Sequence, residues 1–104
     1  MKVKDVFKRK EVNLTDLEWR VLKYIERHPD EVFPEYSVEL AFAMGERVKW
    51  ISMTLWSLAK KGKIHVYKIK SIPWWKVFLK GMDRVYFGTK EAIQKLKEED
   101  EKRL

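Results

Sequence analysis

Three runs of helical spacing between residues 14 and 62, each with its own stop signal, constrain this chain more than any other feature. The first, LTDLEWRVLKYIERH at 14–28, opens with Thr15 and Glu18 at capping-box spacing. There the hydroxyl can accept from the Glu18 amide while the carboxylate reaches back to the cap. Leu14 and Trp19 flank that cap as a hydrophobic staple, and Leu17, Val21, Tyr24 and Ile25 continue as one apolar stripe. His28-Pro29 ends the run, because proline cannot extend the hydrogen-bond ladder. A shorter run, Ser37 to Met44, has Ser37 as N-cap, Leu40, Ala41 and Met44 inward, and Gly45 just past its end. The third begins around Glu46 or Arg47 and stops before Gly62, with Val48, Ile51, Leu55 and Leu58 on its inner face.

Beyond Gly62 the period changes from helical to alternating. KIHVYKIK at 63–70 reads as a strand, and RVYFG at 84–88 as another. Between them SIPWWKVFLKGMD carries turn residues at Pro73 and Gly81, and a further strand at 75–79 stays open. Thr89 caps a last helix whose apolar face is Ala92, Ile93 and Leu96. After Leu96 the residues are charged up to Leu104, so a solvated, fraying end is expected, with Glu98, Glu99, Asp100 and Glu101 in water.

Charge divides along the chain. In 11–45 three cations stand against eight carboxylates, a net of −5; in 46–90 eleven cations stand against Glu46 and Asp83, a net of +9. If these segments fold as units, one side is acidic and the other basic, and concentrated positive charge favours a polyanion, nucleic acid before membrane. A Lys-rich surface serving only solubility is the plainer reading.

The 104 residues suffice for one domain, and 45% hydrophobic content argues against disorder. With no cysteine, disulfides, thiol catalysis and thiolate metal sites are excluded. No apolar run approaches the roughly 18 residues of a membrane span. The opening Met1-Lys2-Val3-Lys4-Asp5 has no apolar stretch behind it, so a cytoplasmic protein without a membrane partner is expected. Asn13 and Gln94 are the only side-chain amides beside abundant Lys and Glu, a balance associated with hot environments.

The four glycines are too scattered for a phosphate loop. His28 in HPDE could be set beside Asp30 and Glu31 as a metal ligand, but a histidine ending a helix more simply complements the helix dipole. His65 on a strand has no nucleophile beside it in sequence. Neither an enzyme, nor a metal, nor a cofactor is expected.

Leu40-Ala41 with Gly45 four positions on, then Ile51, Leu55, Leu58 and Lys61-Gly62-Lys63-Ile64, resembles the winged helix-turn-helix transcriptional regulators of archaea and bacteria. Val85-Tyr86-Phe87 and Thr89-Lys90-Glu91 resemble that family's last strand and final helix. The resemblance covers roughly residues 14–96 and implies an α+β winged-helix fold in one domain. Residues 1–13 would be an N-terminal extension, 14–62 a three-helix core, 63–88 the wing and 89–104 a C-terminal helix. It implies that the third helix enters the major groove of double-stranded DNA, most simply in a dimer. Arg47, Lys49, Trp50, Met53, Ser57 and Lys60 would then face DNA from that helix, with Lys61, Lys63, Lys68, Lys70, Lys76 and Lys80 on the backbone or from the wing.

Trp50, Met53 and Trp56 depart from the family pattern, since an indole offers one donor and no bidentate readout. Three readings stay open: they pack under other segments, they form a dimer or partner surface, or they touch DNA as apolar contacts. Trp74-Trp75 poses the same choice, with base stacking as a further use. The fold also serves as a protein-docking module, so an adaptor and a sequence-neutral DNA-coating protein are the alternatives to a transcriptional regulator.

Overall fold

The computed structural model describes residues 13–71 and 84–104. The expected N-terminal extension, the layout of 72–83, and Trp74, Trp75, Lys76 and Lys80 lie outside the described residues.

Helix α1 spans Asp16–Arg27. Its capping box forms as spaced: the Glu18 amide donates to Thr15 Oγ1 at 3.1 Å, and the Thr15 amide donates to Glu18 Oε1 at 2.8 Å. A two-residue strand, β1, follows at Phe33–Pro34. Helix α2 is Val38–Met44, capped by Ser37, and Gly45 closes it at φ 67°. A Cβ at Gly45 would meet nothing within 4 Å, so glycine is favoured there by the left-handed backbone rather than by crowding. Helix α3 runs Val48–Lys60. Strands β2 (His65–Lys68) and β3 (Val85–Gly88) precede α4, Lys90–Lys102. Among the described residues this is an α+β fold of four helices and a three-stranded antiparallel sheet in the order β1-β3-β2.

The register sorts the sheet's two faces. Phe33 pairs with Phe87, and Phe87 with Val66, so these three share a face. Phe33 and Phe87 are fully buried in one core with Val21, Ile25, Leu40, Ile51, Leu55 and Leu58 from the three preceding helices. The opposite face carries Tyr67, whose hydroxyl donates to Asp100 of α4 at 2.6 Å. Ala92 and Ile93 of α4 are buried, as is Ile69 just past β2. The sheet therefore lies between the α1–α3 layer and α4. Thr89 Oγ1 ties the start of α4 back to the Pro29 carbonyl at 2.6 Å.

One sequence expectation gives way here, and one element lacks a sequence signal. Strand β1 was not visible as a strand: two residues carry no alternation, and only its tertiary pairing defines it. Pro34 fits because β1 is an edge strand. Asp100 does not sit in a solvated tail. It is 1% exposed, and its carboxylate accepts from Tyr67 Oη, the Lys70 amide at 2.7 Å, the Ser71 amide at 3.0 Å and Ser71 Oγ. That acceptor anchors the last turns of α4, which holds to Lys102 instead of fraying after Leu96.

Candidate nucleic-acid interface

With Ile51, Leu55 and Leu58 turned into the core, the 100° helical step decides what α3 leaves outside. Lys49, Met53, Trp56 and Lys60 stand at steps of four, three and four, opposite the buried face, with Trp50 along one edge. Trp50 is 47% exposed, Met53 52% and Trp56 38%. Of the three readings for these aromatics, burial under other segments applies in part to Trp56. Its ring meets Phe87 edge-on at 5.0 Å between centroids, and its indole N–H donates to Glu35 Oε2 at 2.7 Å. Trp50 and Met53 remain open.

The hydroxyl-bearing residues of α3 are turned the other way. Ser52 Oγ donates to Glu35 Oε2 at 3.4 Å, and Thr54 Oγ1 donates to the Trp50 carbonyl at 2.7 Å. Ser57, expected on the outward face, is half-buried and hydrogen-bonds Glu18 Oε2 of α1. The reason is geometric: Ser57 lies at the margin of the helix that faces α1, where the buried Glu18 carboxylate offers an acceptor. Lys61 joins it, placing Nζ 2.9 Å from Glu18 Oε1 and 2.8 Å from the Asn13 carbonyl. Burial pushes the Glu18 carboxyl up, but hydrogen bonds from Ser57, Lys61 and the Thr15 amide, with the Lys61 charge, bring it down to about 2. Ser57 and Lys61 are thus committed to fixing α3 on α1.

The remaining cations are free of such commitments. From Arg47 to Lys70 the sequence has seven cations and no carboxylate. Arg47, Lys49, Lys60, Lys63, Lys68 and Lys70 are all exposed, and none is ion-paired to a carboxylate among the described residues. Arg47 stands at the N-cap of α3, and Lys49 and Lys60 mark the two ends of the outward stripe. Lys68 alternates with Val66, so it shares the sheet face on which Trp56 meets Phe87. Glu35 is the carboxylate that reaches this face, bonded to Trp56 and Ser52. On the α1–α2 side Tyr24 Oη donates to Glu39 Oε2 at 2.7 Å, and a hydrogen bond with Glu39, then burial, push the Glu31 carboxyl up.

Two features of this face had no local sequence signal, and a third exposed apolar residue, on α2, had one. Glu35 clamps Trp56 and Ser52 from a segment 21 and 17 residues away, and only the pairing of β1 brings it there. Val66 is 37% exposed beside the Trp56–Phe87 contact, and on α2 Phe42 is 89% exposed. The one usable sign for Phe42 was its place one helical turn after Val38, off the Leu40–Ala41–Met44 face.

No helix among the described residues is long and apolar enough to cross a membrane. Comparisons of the chain with protein-family models, with curated proteins and with solved structures each found no match.

Proposed function

We propose that this chain is a winged-helix protein that binds double-stranded DNA by laying the outer face of α3 in the major groove, and that it acts in transcriptional regulation. The order of three helices, an antiparallel strand pair and a closing helix is compatible with that arrangement. The observation that carries the reading is the α3 surface itself. Among the described residues one helix side is left uncovered, ends in Lys49 and Lys60, and lies in a stretch without a single carboxylate from 47 to 70. A polyanion is the partner that such a surface attracts, and a helix is the element that fits the width of the B-DNA major groove.

The test is fluorescence anisotropy of a short labelled duplex titrated with the protein across a salt series. Each phosphate neutralised steepens the fall of log affinity with log salt by about 0.9, so four to six contacts give a slope of about −4 to −5. Absence of binding at low salt, or binding indifferent to salt, contradicts the reading. The first of these outcomes would favour a protein-docking role, for which the exposed Phe42 and Val38 on α2 are the supporting observation.

A further inference from the structure

A helix that reads bases usually offers them hydrogen-bonding side chains, and between Lys49 and Lys60 α3 has turned its hydroxyls away. Ser52, Thr54 and Ser57 are each bonded inside the chain, and the only indole donor of Trp56 is taken by Glu35. What the middle of the outward face presents is the thioether of Met53 and the ring surfaces of Trp50 and Trp56. Apart from the single N–H of Trp50, which cannot give bidentate readout, these groups do not discriminate among the donors and acceptors on base edges. The apolar feature of the major groove that such groups can meet is the methyl at the C5 position, carried by thymine and absent from cytosine.

Resting on the duplex-binding reading, we infer that the Trp50–Met53–Trp56 stripe reads C5-methyl groups, so that the preferred target is thymine-rich duplex. The flanking cations hold the phosphates and set register, and the apolar middle supplies preference. Glu35 is a positioning residue in this scheme. Its carboxylate holds the Trp56 indole N–H from the side, so the ring packs edge-on against Phe87 and presents its remaining surface outward. Desolvating one methyl contributes about 0.8 kcal/mol, or about fourfold in affinity.

The experiment compares alternating A–T duplex with its A–U counterpart, which differs only by that methyl, and alternating G–C duplex with its 5-methylcytosine form. The protein should bind A–T about fourfold tighter than A–U for each methyl contacted, and methylated G–C tighter than unmethylated. Because removing the methyl also alters duplex shape, M53A and W50A are measured beside the wild type. Both side chains are exposed, so the variants should melt as the wild type does. They should bind A–T duplex more weakly, and the A–T to A–U ratio should fall toward one. Equal affinity of wild-type protein for A–T and A–U, or a ratio unchanged in both variants, overturns methyl readout and leaves duplex binding standing. Failure to bind any of the four duplexes overturns both.

Discussion

Glu18 and Asp100 are carboxylates withdrawn from water at opposite ends of the chain, and each is held by donors contributed by a different element. Burial pushes the Asp100 carboxyl up, but hydrogen bonds from Ser71, Tyr67 and the Lys70 amide outweigh it and hold it well below its ordinary 3.8. The Tyr67 phenol answers in kind, pushed up to about 12 chiefly by its hydrogen bond to that carboxylate. A carboxyl whose pKa is lower in the folded chain stabilises the fold above its unfolded value, and the benefit disappears as pH falls through the folded value. For Glu18 the window runs from 4.5 down to about 2. Urea midpoints measured from pH 7 downward should hold until about pH 5 and then fall steadily. D100A should cost about 2–4 kcal/mol at pH 7, because it strands buried donors of β2 and its following turn, and less at pH 2. A pH-independent midpoint would show that neither carboxylate anchors its neighbours, and D100A melting like the wild type would show that Asp100 does not.

Local signals made the helices legible and left the contacts between elements dark. Thr15–Glu18, Ser37, Gly45, Pro29 and Gly62 marked starts and stops because caps and breakers act within one turn of chain, and the 3.6-residue period marked the buried side of α3. Strand β1, the Glu35 clamp and the inward turn of Ser57 could not be read this way. Each depends on a partner far along the chain, as Ser57 depends on Glu18, 39 positions away. Asp100 was misread for the same reason, since a carboxylate among charges looks solvated until Ser71 and Tyr67 arrive from the sheet. The α2–α3 turn offers a clean test at this scale. Gly45 sits at φ 67° with open space around its Cα, so G45A should cost about 1–2 kcal/mol from backbone strain alone. G45N should cost less, because asparagine tolerates the left-handed region better. Thermal melts of the two variants check this; an unchanged melt for G45A would mean that the turn readily adopts another conformation.

Across the whole molecule the charge division and the layer order serve the same surface. The sheet is enclosed by α1–α3 on one face and by α4 on the other, which leaves the far side of α3 without a covering element among the described residues. Glu18 of α1 and Glu39 of α2 are drawn into bonds with Tyr24, Ser57, Lys61 and the Thr15 amide, and Arg47, Lys49, Lys60, Lys63, Lys68 and Lys70 are left exposed without an ion pair among the described residues. The most direct test of this account is backbone-amide NMR of the protein titrated with duplex DNA at low salt. The amides of Arg47, Lys49, Trp50, Met53, Trp56 and Lys60 should shift first and together with Lys68, while Glu91, Gln94 and Glu98 on the outer side of α4 stay still. Shifts centred on α4 or on the acidic side of α1, or no shifts at all, would contradict the claim that α3 is the DNA-binding face.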